Sequence, residues 1–383
     1  MIRNFKRSAA VLGVVAAGSV ALVACSDSSD SADTSAESSA AESGSDSAAA
    51  SEGLSGQSGE LVGEGASSQQ NAMEVFGTVY SENVDGASLA YNPTGSGSGR
   101  TNFIAGQVDF AGSDSPLADD QIEPAKERCE GNEAWHLPFV VGPVAVAYNL
   151  EGLEGVALDI PTVAAIFKGE ITNWNDPAIA ATNEGVELPD QDITVIARSD
   201  ESGTSGNFQK FLKAAVPDQW DTEGEQFPIP ANGESANGSN GVATQVANVP
   251  GAITYVEAGF ATQNNLGVAA LDFGSGATEL NNETVGAALD ALEFSTEGHN
   301  MVVDSEALFQ QTQEGAYPLI LTTYEIVCSA GYDEETQNLV KDFLTVSLDN
   351  QDAIGEIGFI PVAKDSAHGQ RLADAIAAIG EGA

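Results

Sequence analysis

A β-like run, Ile193 to Ala197, ends in Arg198 and passes through Ser202-Gly203-Thr204-Ser205 straight into a helix. The helix is written in the spacing of Phe208, Phe211, Leu212 and Ala215, with Lys210 and Lys213 toward its C-terminal end and Pro217 as its stop. A strand joined to a helix by a turn of small residues constrains the chain to an α/β arrangement, and the unit recurs. Leu61-Val62 leads through Gly63-Glu64-Gly65-Ala66-Ser67-Ser68 into a helical pattern reaching Phe76. Ser88 to Tyr91 leads through Asn92-Pro93-Thr94-Gly95-Ser96-Gly97-Ser98-Gly99-Arg100 into a helix over Thr101 to Ala105. The run from Val108 gives a short strand that ends in Ser113-Asp114.

These strand ends carry chemistry. A helix N-terminus built of small residues presents unpaired N–H groups and the positive end of the helix dipole, which suits an anion. Arg198 adds a planar fork of donors that matches an oxyanion. Taken alone, each turn is equally an ordinary capped connection, and Asp114 an ordinary turn residue before Ser-Pro. Four such ends together favour the anion site, because open α/β sheets gather ligands at the carboxyl ends of their strands. Nucleotide motifs fit poorly. Gly63-Glu64-Gly65 lacks the third glycine of the dinucleotide fingerprint, and no Gly-Lys-Ser/Thr follows Gly95 to Gly99. A hydrolase elbow fails too, since Gly97 stands where the nucleophile would be.

The chain of 383 residues carries 57 Asp and Glu against 13 Lys and Arg, a net charge of −44. That acidity argues against nucleic acid and against charge-driven docking on an anionic membrane. An anion bound here is held by close, dry hydrogen bonds rather than by a long-range field. His136, His299 and His368 lie far apart without metal-ligand spacing, so neither a metal nor another cofactor is expected.

The N-terminus reads as an export signal over residues 1–24, with Arg3, Lys6 and Arg7 ahead of an apolar run that ends Leu22-Val23-Ala24-Cys25. Small residues directly before Cys25 resemble a lipobox, which makes Cys25 the lipidation site. Residues 25–58 are Ser, Ala, Gly and acid-rich with no Lys or Arg, a composition that reads as a disordered stalk. The expectation is a protein exported and lipid-anchored to the outer face of the cytoplasmic membrane. Cys129 and Cys328 then sit in an oxidising compartment and form a candidate disulfide, with two buried free thiols as the alternative.

Longer motifs carry a resemblance. Gly63 to Ser67, Tyr91 to Gly99, Val108 to Leu117 and Arg198-Ser199-Asp200-Glu201-Ser202-Gly203-Thr204-Ser205 resemble the phosphate-binding proteins of bacterial phosphate ABC transporters. Val141 to Leu150, Ile166 to Pro177, Pro250 to Glu257 and Tyr317 to Ile320 match in the same order, so the likeness spans about Glu60 to Pro361. It implies a two-lobed α/β clamshell of the periplasmic-binding-protein type with two interlobe hinge crossings, near Val141 and near Ile320. Lobe 1 would be 59–141 with 320–383, and lobe 2 would be 142–319.

The resemblance further implies inorganic phosphate between the lobes. Ser67, Ser68, Ser96, Ser202, Gly203 and Thr204 would donate, Arg198 would supply the charged fork, and Asp114 would accept a proton from the ligand. Ser68 departs from the pattern, standing where the family has Phe, so its backbone N–H is the firmer donor. A permease and its ATPase subunits are the implied partners, and no catalysis is expected. Two rival readings are a phosphate-ester hydrolase, which lacks a His or Lys in these motifs to activate a serine, and a sensor or binder of another oxyanion.

Overall fold

The computed structural model describes residues 53–289, 292–310 and 313–382. The expected signal peptide 1–24, Cys25 and the stalk as far as residue 52 lie outside the described residues.

Its strands, in chain order, are β1 (Gly59–Gly65), β2 (Ala87–Asn92), β3 (Phe110–Ser113), β4 (Ala134–Tyr148), β5 (Ala157–Asp159), β6 (Thr194–Arg198), β7 (Gly233–Ala236), β8 (Ala252–Glu257), β9 (Gly267–Val268), β10 (Ala270–Asp272), β11 (Ala277–Thr278) and β12 (Ile320–Cys328). The main sheet runs β2-β1-β3-β12-β4-β8-β6-β7, with β9 also on β4; β11-β10-β5 form a small second sheet.

The spine is β4, fifteen residues that are buried from Trp135 to Tyr148. A run apolar on both faces suits a strand covered on both sides. Its first part pairs antiparallel with β12, from Ala134↔Cys328 to Pro143↔Ile320. Its second part pairs antiparallel with β8, from Val144↔Glu257 to Tyr148↔Ile253. The sheet therefore changes partner between Pro143 and Val144, giving a first half (β2, β1, β3, β12) and a second half (β8, β6, β7). The β12 register shifts where Tyr324 faces Pro138. Proline has no N–H for the ladder, and a strand accommodates it at such an irregularity.

β1 lies parallel to β2 and to β3, so their carboxyl ends emerge on one side. β6 lies parallel to β7 and β8. Helices Gln70–Asn83 and Ser96–Ile104 make the crossovers in the first half, and helix Gly203–Ala215 follows β6 in the second.

Three expectations shift. The second helix begins at Ser96, not Thr101. Ser-Gly-Ser-Gly has poor helix propensity, but here the small residues permit close packing: a Cβ at Gly99 would fall 2.6 Å from the Glu64 carbonyl oxygen. Tertiary fit overrides propensity. The folded body also starts before residue 59. Leu54 packs on the core. The Ser55 N–H (2.8 Å), the Ser55 hydroxyl (2.7 Å) and the Gly56 N–H (3.0 Å) all donate to the Asp342 carboxylate. The end of the expected stalk is therefore docked. Finally, the segment around 292–303 packs on the first half. The Met301 N–H donates to the His136 carbonyl (2.9 Å), and Arg371 donates to the carbonyls of Gly298 and Thr296 (both 2.8 Å).

Cys129 and Cys328 are joined, with Cα atoms 5.4 Å apart, inside a cluster that includes Phe103, Leu117 and Ile326. The bond ties the end of helix Asp119–Arg128 to β12. Among the described residues no helix is long and apolar enough to cross a membrane.

Candidate functional site

Four chain segments leave the carboxyl ends of β1, β2, β3 and β6 and meet. Backbone contacts set the meeting: the Ala66 N–H donates to the Gly112 carbonyl (2.8 Å) and the Gly95 N–H to the Gly65 carbonyl (2.8 Å). Gly65 sits at φ +141°, and a Cβ there would fall 2.0 Å from the Gly112 oxygen. Only glycine permits that approach. Across the halves, a Cβ on Gly203 would lie 2.5 Å from Ser96 Oγ and 2.6 Å from Asp114 Cβ. The residues singled out in the sequence thus converge: Ser67, Ser68, Ser96, Asp114, Arg198, Ser202 and Thr204 are all buried, and Gly203 lies against two of them.

Asp114 is 8 % exposed and makes no ion pair among the described residues. Hydroxyls surround it instead. Ser68 Oγ (2.7 Å) and Thr323 Oγ1 (2.8 Å) donate to Oδ1, and Thr204 Oγ1 (3.0 Å) donates to Oδ2. Its own N–H donates to Ser96 Oγ (3.1 Å). Burial raises its pKa above the ordinary aspartate range, against the pull of the three hydroxyls and of the Arg198 charge. Oδ2 takes a single donor, which leaves it a lone pair for another.

Arg198, 3 % exposed, has its fork on Asp200: Nε to Oδ1 at 2.8 Å and Nη2 to Oδ2. Arg198 thus reaches Asp114 through its charge, while its fork closes on Asp200. Two residues of separation in one chain make it a local clamp. Burial alone would raise the Asp200 pKa, but Arg198 and the Gly238 N–H (3.1 Å) outweigh it and hold it below the usual value. Arg198 Nη1 reaches Ser239 Oγ (3.3 Å). Ser239 in turn meets the first half, its N–H donating to Ser67 Oγ at 2.9 Å.

The hydroxyls therefore divide. Ser68 and Thr204 spend their protons on Asp114. Ser96 Oγ and Ser202 Oγ instead accept N–H bonds, from Asp114 and from Ser205 (3.1 Å), and keep their protons for a further acceptor. Gly203 and Thr204 open a helix, so their N–H groups have no partner within it. The result is a buried cluster of donors with one acceptor, set where the two halves of the sheet meet.

The PBP superfamily domain matches residues 35–351. Phosphate-binding protein PstS 2 of Mycobacterium tuberculosis (strain ATCC 25618 / H37Rv) is 38 % identical over 366 residues, covering 94 % of this chain and 96 % of its own. Phosphate-binding protein PstS 3 of the same strain is 38 % identical over 379 residues, covering 98 % and 100 %. This chain belongs to the phosphate-binding proteins of the PBP superfamily. Its fold agrees with solved members. A high-affinity periplasmic phosphate-binding protein (PfluDING) superposes with TM-score 0.64 at 21 % identity, over 84 % of this chain and 99 % of the other. A phosphate-binding protein from Stenotrophomonas maltophilia gives 0.63 at 22 %, over 82 % and 93 %. The two-lobed α/β clamshell of the superfamily is the fold of this chain, with the donor cluster between the lobes.

Sequence reasoning missed four residues that hydrogen-bond into this cluster. Asp200 lay inside the recognised stretch without a role. Ser239 follows an unremarkable Asn-Gly, and Thr323 sits in a buried strand where threonine reads as a β-former. Tyr255, whose hydroxyl accepts from the Arg198 N–H (3.4 Å) and bonds Ser205 Oγ (2.6 Å), also reads as core. Two more carboxyls, Glu257 and Glu325, are buried within reach of the Asp114 charge. Burial pushes each up to about 8, with the Asp114 charge adding to it; backbone N–H groups of Gly259 and Phe260 partly offset this at Glu257, and Gln69 does so at Glu325. Among the described residues no cluster of His, Cys, Asp and Glu is arranged to hold a metal ion.

Proposed function

We propose that this protein captures inorganic phosphate between its lobes and delivers it to a membrane permease driven by ATPase subunits, as the binding component of an ABC importer. Asp114 carries the reading. An ionised carboxylate only accepts, so the ligand that suits it brings a proton. Phosphate near neutral pH has one or two; sulfate has none and would set lone pair against lone pair. Ser67, Ser68, Ser96, Ser202, Gly203, Thr204 and Arg198 supply the remaining contacts, Ser68 and Thr204 through Asp114 and their backbone. Residues 59–141 with 320–383 move as lobe 1 against 142–319 as lobe 2, hinged near Val141 and Ile320, except that 292–303 travels with lobe 1. The protein acts without chemistry on its ligand, since the motifs that form the site carry no His or Lys to activate a serine. An export signal over 1–24 and a lipid on Cys25 hold it at the outer face of the cytoplasmic membrane.

Titration calorimetry with phosphate and with sulfate tests the reading. Tight phosphate binding with weak or absent sulfate binding is expected, and equal affinities would sink it.

A further inference from the structure

Arg100 lies on helix Ser96–Ile104 of the first half, and Glu225 on the connection between helix Gly203–Ala215 and β7 of the second. They face each other fork to fork, Nη1 to Oε1 at 2.8 Å and Nη2 to Oε2 at 2.8 Å, with side chains only 8 % and 14 % exposed. Arg100 has two further bonds: Nη1 donates to Ser113 Oγ (2.8 Å), and Nε donates to Gln121 Oε1 (3.0 Å). Ser113 immediately precedes Asp114, and Ser96 begins the helix that carries Arg100. On the other side, the Glu225 carbonyl accepts from the Ser202 N–H (3.2 Å). Gln209 Nε2 pins the same connection by donating to the carbonyls of Gly224 (2.6 Å) and Gln226 (3.1 Å). One ion pair thus joins the segments of Ser96, Asp114 and Ser202, and joins them across the cleft.

We propose that Arg100 and Glu225 are a positioning clamp across the cleft that sets how long the bound anion is retained. The inference rests on the phosphate reading for its ligand, not for its geometry. When the cleft is shut, both charges leave water, a cost that only good fork geometry offsets. When it opens, both charges return to water and the cost vanishes. The pair therefore adds little net stability but favours one closed register, the one that sets Ser96 and Asp114 opposite Ser202. Removing one partner strands the other charge in the closed form only. Closure is penalised and the open form is not, so the effect falls on release.

The test compares the full mature protein with Glu225→Gln and with the exchange Arg100→Glu/Glu225→Arg. Stopped-flow tryptophan fluorescence reads phosphate association and dissociation. Spin labels at Glu123 and Asp221, both exposed, read the distance across the cleft. Glu225→Gln is expected to raise the dissociation rate roughly 10- to 100-fold with association changed less than about twofold. It should also broaden the label distance toward longer values. The melting temperature without phosphate should hold, and the exchange should recover part of the slow release. An unchanged dissociation rate and label distance would overturn the clamp, as would faster release accompanied by a lower phosphate-free melting temperature. Wild-type protein that gives no heat with phosphate would defeat the phosphate reading alone, and a label distance that responds to Glu225→Gln would still support the clamp.

Discussion

The two walls of the cleft hold their charged residues by opposite means. On the first wall Asp114 sits among neutral hydroxyls drawn from three distant segments, Ser68, Thr204 and Thr323. On the second wall Arg198 is matched by Asp200, two residues along the same strand end. With Arg198 matched by Asp200, no surplus positive charge is left for an anion. On the proposed phosphate reading, attraction comes from oriented N–H and O–H groups at the helix start and from Ser96 and Ser202, with Arg198 acting as a directed donor rather than a bare charge. On that reading the first wall is proposed to choose among anions and the second to grip any tetrahedral one.

The sharpest way to break that division is Asp114→Asn. Rejection through an unpaired buried polar group reaches about 10⁴–10⁵ in sites built this way, so the phosphate-over-sulfate ratio is expected to fall by at least ~10³. Calorimetry with both anions measures it, and equal losses for both would reduce Asp114 to a packing residue. Arg198→Lys addresses the other wall. Lysine keeps the charge but loses the fork on Asp200 and the reach to Ser239. Affinity for both anions should drop about 10²-fold, roughly 2.7 kcal/mol, while their ratio stays put. A changed ratio would mean that the second wall also selects.

The same contrast explains what the sequence made legible. Local units showed well. The strand, the turn and Ser202 as cap of helix Gly203–Ala215 all follow from spacing, and Ser202 Oγ does accept the Ser205 N–H. Asp200 was visible but mute, because nothing in Arg-Ser-Asp says that the fork closes on its own chain. Thr323 and Ser239 were invisible, since each acts through a partner more than 170 positions away. The helix at Ser96 was misjudged by propensity, as its glycines serve contact with Glu64, Gly65 and Glu201 rather than helix stability. The rule that open sheets gather ligands at strand carboxyl ends anticipated the meeting of the four strand ends, and the long ordered resemblance agreed with it.

Gly97 offers a third break, smaller than the first two. It carries no group for a ligand, yet a Cβ there would fall 2.4 Å from Glu201 Oε2 and 2.6 Å from Glu201 Cβ on the opposite half. Its N–H also donates to the Glu201 carbonyl (3.2 Å). Alanine in a helix is better than glycine by about 1 kcal/mol. Gly97→Ala is therefore expected to leave the phosphate-free protein as stable or slightly more stable, while weakening phosphate about tenfold by obstructing closure. Melting curves read the first effect and calorimetry the second. Unchanged affinity would show that the walls yield enough at Glu201 to admit a methyl group.

The smallest effect concerns the two buried glutamates within reach of Asp114. Glu325 is fully buried, and its pKa is pushed up to about 8 by that burial despite the pull of the Gln69 amide. The folded protein keeps this proton in a range where the unfolded chain, with a value near 4.5, has lost it. The stability so conferred is whole below about 4.5, declines as pH rises toward 8, and levels beyond. Glu257 contributes in the same direction. His136 works the other way: burial holds it neutral, its pKa lowered to about 4, so it removes stability as pH falls below 6.5. Glu325→Gln should flatten the decline between pH 5 and 8 by about one proton per molecule, measured as denaturant stability against pH. Because Asp114 raises the values of both glutamates, Asp114→Asn should flatten it slightly as well. Arg198→Lys, whose charge is preserved, should not, and a flattening there would erase the distinction between a wall that couples to these glutamates and one that is closed on itself.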